Sequence, residues 1–391
     1  MMPVTPYASP QAAPIRIPPW WIVAVICLVA LIVTSSCGLS DSRAEADAVV
    51  AGQERPREDD ASDAAYEPQF RRFDGAIVTD LSYGGAGLDR WIAEVPGIAE
   101  VRIPSSVDDY QQPALWLAHD WDEPRPLLVV LHSWSVDYQQ HLGIPYARWA
   151  DENGWAMIHP DFRGELDNPD ATGSDRAVQD VIDAVAFAEE HAAIDAERIF
   201  VSGFSGGGMM SLMMAGRHPD RFAGVVAWVP IHDLGAWHAF QPSAEYAHEI
   251  EQSCGGDPTT DPVADDECAR RSPSAYLDAA RDAGVPVYLG HGLADHIVPV
   301  THSAWAFNQL ADPDDRFDEA TVAAIEAGDV PDWLLGDIAT DTFFAEPDPT
   351  VLFARRSAQV TLVVFDGGHE GVYNPGLEWM VRQIEDAGGA G

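Results

Sequence analysis

The chain has 391 residues, 47% of them hydrophobic, and 63 acidic residues against 22 basic ones give a formal net charge of -41. Every basic side chain is arginine; lysine is absent. A surface this acidic repels nucleic acid and anionic lipid headgroups, which excludes both as partners, while the apolar fraction is ample for a large core.

The first element in chain order is WWIVAVICLVALIV, Trp20 to Val33, apolar and uncharged, with Arg16 before it and Thr34-Ser35-Ser36-Cys37 after it. That is the n-region, h-region and cleavage site of an export signal. It is short for a membrane span, which needs roughly 20 apolar residues. Cys37 after small residues resembles a bacterial lipobox, although Thr34 stands where an aliphatic residue is usual. Lipidation at Cys37, an ordinary cleaved signal and an uncleaved anchor all remain open. Residues 1–37 are therefore read as an export segment, which places the protein at the cell surface or in the medium. Any membrane contact is expected only through this segment. Residues 38–72 read as a disordered, acidic tether with few aromatics, reaching roughly 30 Å as a flexible coil.

From residue 73 to 391 the pattern is one domain of alternating strands and helices. AEVRIP and PALWLAHD, between residues 99 and 120, read as strands of an antiparallel edge. PLLVVLH, Pro126 to His132, is a continuous apolar run, as in a strand buried on both faces. A helical stretch follows through Trp149, then the strand GWAMIHP. Ser174 to His191 is amphipathic, with Val178, Val181, Ile182 and Val185 on one face and Ser174 placed to cap it. RIFVSGF is the next strand and leads into the helix GGGMMSLMMAGR. FAGVVAWVP, VPVYLGHG and AQVTLVVFDGG are three more strands, and a helix from Gly371 to Ala387 closes the chain. This alternation predicts a mostly parallel twisted sheet with helices on both faces.

Gly203-Phe204-Ser205-Gly206-Gly207 fits G-x-S-x-G between a strand and a helix. That context places a serine on a strained turn at the carboxyl edge of the sheet, beside helix amides that can meet an oxyanion. Ser205 is the candidate nucleophile. A serine hydroxyl needs a base, and the imidazole in turn needs a carboxylate. His369, in FDGGHEG directly after the last apolar strand, is the candidate base. Asp295, in LGHGLADHIVPV, is the candidate acid; Asp233, after the strand ending at Pro230, is its competitor. His291 reads instead as packing for its own turn, and Asp366 is too near His369 to orient it. The candidate oxyanion donors are the backbone N–H groups of Gly206 and Trp134, although Ser133 stands where a glycine is usual in that loop. Met209, Met210, Met213 and Met214 read as helix packing. Neither a metal-binding nor a nucleotide-binding motif is present, so no cofactor or metal is expected.

Taken in order, LLVVLHSWS, PDFRG, AVQDVIDAVAF, RIFVSGFSGGG, GHGLADHIVP and GGHEG resemble the catalytic domain of prolyl oligopeptidase-family (S9) serine hydrolases, from about Ala99 to the C-terminus. The resemblance implies an α/β-hydrolase fold with the triad Ser205, Asp295 and His369. It also implies cleavage of a small ester or peptide substrate through an acyl-enzyme. Family peptidases usually carry an N-terminal β-propeller, and fewer than about thirty residues separate the tether from the first strands, so an esterase on the same scaffold is the alternative. A non-catalytic surface-binding lipoprotein is a more distant one. Two insertions, about 232–284 and 311–356, are read either as lids or as surface decoration. Cys254 and Cys268, close together in the first, are expected to form a disulfide in an oxidising compartment, with two free thiols the alternative.

Overall fold

The structure, a computed structural model, describes residues 70–72, 85, 87–240, 243–335 and 343–389. The export segment with Cys37 lies outside the described residues, as does the tether up to residue 69. Phe70–Arg72 are described and are part of the folded unit. Phe70 packs on Trp149, Arg71 N–H donates to Asn153 Oδ1 at 3.0 Å, and Arg72 pairs with Asp348. Residues 70–72, expected in the tether, thus pack against the domain expected from residue 73.

Nine strands form one sheet: β1 (Ala99–Pro104), β2 (Gln111–Leu117), β3 (Arg125–Leu131), β4 (Ala156–Pro160), β5 (Ile194–Phe204), β6 (Gly224–Trp228), β7 (Val287–Gly292), β8 (Val351–Ser357) and β9 (Val360–Phe365). Their order is β1-β2-β4-β3-β5-β6-β7-β9-β8. The six strands from β4 to β9 are parallel, while β1 and β2 at one edge and β8 at the other run antiparallel. This is the α/β-hydrolase arrangement. Central strands such as β3, β6 and β7 are apolar along almost their whole length because both faces are covered.

The helices are α1 (Leu88–Glu94), α2 (Gly143–Asn153), α3 (Asp175–His191), α4 (Gly206–Arg217), α5 (Leu234–Phe240), α6 (Ala244–Cys254), α7 (Pro262–Arg270), α8 (Leu277–Ala283), α9 (Thr301–Leu310), α10 (Glu319–Glu326), α11 (Asp332–Leu335) and α12 (Tyr373–Gly389). α3, α4, α8 and α9 fill the core on one face of the sheet. α2 and α12 fill the core on the other. Ser174 caps α3 by accepting from Ala177 N–H, as its sequence position suggests. The four methionines of α4 are fully buried in the first core. Among the described residues no helix is long and apolar enough to cross a membrane.

The first insertion contributes a helical cap, α5 to α7, followed by the core helix α8. Ser243 and Asp261 cap α6 and α7, and Pro262 opens α7. Cys254 at the end of α6 and Cys268 in α7 are joined by a disulfide across a separation of 14 residues. The second insertion wraps the far edge of the sheet. It adds α10 and α11 to the first core and β8 to the sheet, while Phe344 packs on Trp228 and Phe365 in the second.

Candidate active site

β5 ends at Phe204, and Ser205 adopts φ 58° and ψ -117°, outside the basins open to most side chains, before α4 starts at Gly206. The flanking glycines are sterically required. A Cβ on Gly203 would lie 2.1 Å from the Gly207 carbonyl oxygen, and one on Gly207 would lie 2.2 Å from that of Leu131. The chain can turn this sharply only against bare backbone.

The loop after β7 carries Asp295 and the loop after β9 carries His369. Adjacent parallel strands bring the two loops together, and backbone bonds tie them: Leu293 N–H donates to Phe365 O at 3.0 Å and Ala294 N–H to Gly367 O at 2.9 Å. His369 Nδ1 lies 2.7 Å from Asp295 Oδ2, and His369 Nε2 lies 2.9 Å from Ser205 Oγ. One tautomer satisfies both contacts: Nδ1–H donates to the carboxylate and Nε2 accepts from the hydroxyl. The Phe204 ring stands edge-on to the imidazole at 4.9 Å. Ser205, Asp295 and His369 are 5%, 7% and 5% exposed, so the hydrogen-bonded chain is shielded from water.

Burial alone would push the Asp295 carboxyl up, but hydrogen bonds from His291 and His369 outweigh it and hold the group well below the usual carboxylate range. Its other oxygen accepts from the N–H groups of Ile297 at 2.8 Å and Val298 at 2.9 Å. The competing Asp233 is used elsewhere: it accepts from Ala236 N–H and from Ser274 Oγ–H. Asp366 is exposed.

A Cβ built on Gly206 would lie 2.8 Å from Trp134 N, so these two amides are neighbours beside Ser205. Neither has an acceptor among the described residues. The Trp134 loop is fastened from several sides. Gln140 grips Ser133 twice, accepting from its N–H and donating to its Oγ, each at 2.8 Å. Trp134 O accepts from Leu166 N–H at 2.8 Å. The indole N–H of Trp134 donates to Glu249 Oε2 on α6 at 2.7 Å, and its ring packs on Trp237 of α5 at 4.9 Å. Burial pushes the Glu249 carboxyl up against the effect of this bond, and Glu245, Asp167 and Glu165 add to the rise. The cap therefore holds the loop that carries one candidate oxyanion donor. Sequence reasoning missed Gln140 and Glu249. A polar residue in a loop or on a helix gives no sign of a partner 7 or 115 positions away.

His238, Glu251 and Asp257 in the cap are close enough to suggest a metal centre. Their hydrogen bonds account for much of the grouping: His238 Nε2 lies 3.1 Å from Glu251 Oε1, and Asp257 Oδ1 accepts from the Thr259 N–H and hydroxyl. A cavity of about 340 Å³ bounded by Phe343, Arg356, Trp379 and Arg382 includes none of the site residues and is no acyl pocket for Ser205.

Residues 149–324 match the sequence model of the prolyl oligopeptidase family. The chain is 29% identical over 132 residues to feruloyl esterase B of Thermothelomyces thermophilus, covering 32% of this chain and 44% of that protein. It is 28% identical over 153 residues to the uncharacterized peptidase YtmA of Bacillus subtilis, covering 38% of this chain and 56% of that protein. The matched segments thus span about half the length of these curated relatives. An acylaminoacyl peptidase structure from Pyrococcus horikoshii superposes with a TM-score of 0.49 at 16% identity, covering 74% of this chain and 41% of that one. The segment that matches the prolyl oligopeptidase (S9) family model lies in the middle of the sheet, within the strand order of an α/β-hydrolase.

Proposed function

We propose that the protein is an exported serine hydrolase that cleaves an ester or peptide-amide carbonyl through Ser205, His369 and Asp295. The observation that carries this reading is the continuous chain Ser205 Oγ, His369 Nε2, His369 Nδ1, Asp295 Oδ2, with contacts of 2.9 and 2.7 Å. Ser205 Oγ attacks the carbonyl carbon while Nε2 takes its proton, and Asp295 stabilises the resulting imidazolium. The carbonyl oxygen becomes an oxyanion, received by the N–H groups of Gly206 and Trp134. Collapse of the tetrahedral species expels the alcohol or amine, which takes the proton back from Nε2 and leaves an acyl group on Ser205. Water, deprotonated by the same nitrogen, releases the acid and restores the hydroxyl.

The similarity to feruloyl esterase B supports an ester as substrate. A peptidase reading draws on the family match and on YtmA. Export is supported by the apolar segment at Trp20 to Val33 and by the cap disulfide, a bond that persists in oxidising compartments. Rates on a short-chain aryl ester, a long-chain ester and a proline-containing peptidyl amide, with Ser205→Ala as control, test the proposal. Ester turnover with negligible amide turnover makes this an esterase. Comparable amide turnover makes it a peptidase. No turnover or labelling of folded protein refutes the hydrolase reading and returns the non-catalytic alternative.

A further inference from the structure

His291 lies at the end of β7, fully buried, one turn before Asp295. The catalytic scheme above gives it no task. Its Nε2 is 2.9 Å from Val298 O and 3.3 Å from Asp295 Oδ2, the same carboxylate oxygen that His369 engages. Its Nδ1 is 2.7 Å from Ser303 Oγ in α9. One arrangement satisfies every atom. Ser303 Oγ–H donates to Nδ1, which leaves the proton on Nε2, shared between the Val298 carbonyl and Asp295. The ring is thereby held with Nε2 toward the acid of the triad.

We propose that His291 is a positioning residue for Asp295, a second imidazole that fixes Oδ2 in line with His369 and draws off part of its charge. The proposal rests on the triad reading. The carboxylate then faces four N–H groups: two backbone ones on Oδ1, and on Oδ2 the imidazoles of His369 at 2.7 Å and His291 at 3.3 Å. The backbone pair fixes one oxygen only. His291, on the side of Oδ2, opposes rotation about the Cβ–Cγ bond. Two further imidazoles sit nearby. His302 of α9 lies behind His291, and burial pushes its imidazole well down. His232, whose N–H donates to His302 Nδ1, is also pushed down by burial.

Removal of the donor gives a definite sign. With His291→Phe, Oδ2 keeps more negative charge for His369, the imidazolium is stabilised, and the ring must reach higher pH before it is free to act as base. The acid limb of kcat/KM therefore moves up, by about half a unit. Loss of the fixed orientation lowers kcat by roughly tenfold, the rate equivalent of one hydrogen bond to a charged group, at unchanged KM. His291→Gln returns an N–H near the position of Nε2 and restores most of both quantities. Ser303→Ala keeps the ring but frees its tautomer, and shifts the profile in the same direction by less.

The experiment measures pH profiles of kcat and KM on an aryl ester for wild type and these three variants. Rates are normalised to the fraction of chains labelled by a fluorophosphonate, so misfolded protein does not count. A raised acid limb in His291→Phe, restored by His291→Gln, is the expected result. An unshifted profile with wild-type kcat per labelled site, even with a lower melting temperature, overturns the proposal and leaves His291 a packing residue. Equal behaviour of the Phe and Gln variants overturns it as well. Ser205→Ala runs beside them: if that protein keeps turnover, the triad reading itself has failed, which is distinguishable from a failure at His291.

Discussion

Gly206→Ala tests the oxyanion assignment with one methyl group. Gly206 is the first residue of α4 and has no left-handed φ, so alanine there carries no conformational penalty and improves helix propensity. The cost comes from space alone. The new Cβ would lie 2.8 Å from Trp134 N and 2.9 Å from its Cα, against an ordinary contact of 3.4 Å or more. Relief requires the Trp134 amide to retreat by about 0.6 Å, which takes a donor in the effective range of 2.7–3.1 Å out of it. Losing one such donor lowers kcat by about 10²–10³-fold, or about 3 to 4 kcal/mol of transition-state stabilisation, with KM little changed because the oxyanion exists only after attack. The loop cannot retreat freely, since Trp134 is held by Leu166, Glu249 and Trp237. Part of the strain therefore appears as about 1–3 kcal/mol of lost stability. Steady-state kinetics on an aryl ester together with denaturant melts read both quantities. A variant that keeps kcat within about threefold of wild type would show that the Trp134 N–H is not the second donor.

Three further outcomes follow from named contacts. Gln140→Ala leaves the buried Ser133 N–H without its acceptor and loosens the same loop; it should cost about 1–3 kcal/mol in stability and lower kcat more than it raises KM, and an unchanged kcat would separate the clamp from the chemistry. Reduction of Cys254–Cys268, or Cys268→Ser, should destabilise the protein by about 3 kcal/mol, as expected for closing a loop of this size, read as the denaturant midpoint with and without reductant. Asp295 is held below its unfolded value of about 3.9, so its contribution to stability is complete above that pH and is lost as pH falls below it. The stability gap between wild type and Asp295→Asn should thus narrow as pH falls below about 4; a gap that widens in that range would contradict the assigned direction.

The sheet, and the strand ends that bring Ser205, Asp295 and His369 within hydrogen-bond distance, were readable because the information is local. Each of Ser205, Asp295 and His369 follows directly on an apolar strand, and glycines mark the turns that carry Ser205 and His369. Parallel pairing of β5, β6, β7 and β9 then aligns those strand ends at one edge. What escaped is non-local. β8, Val351–Ser357, mixes two arginines into an edge strand within an acidic insertion, and only its pairing with β9 makes it a strand. The cap helices carried visible signals in Ser243 and Asp261-Pro262, but nothing in the chain announces that Glu249 meets the Trp134 indole. His291 was read as packing for its turn; its place against Asp295 depends on Ser303 and Val298 holding the ring.

The most direct test of the central claim is the site of fluorophosphonate attachment, located by mass spectrometry on folded wild-type protein, with Ser205→Ala, His369→Ala and Asp295→Asn assayed for ester turnover in parallel. The expected result is a single adduct on Ser205, no adduct in Ser205→Ala, and turnover in His369→Ala and Asp295→Asn reduced by at least about 10³-fold. An adduct on any other residue, or full turnover in Ser205→Ala, would contradict it.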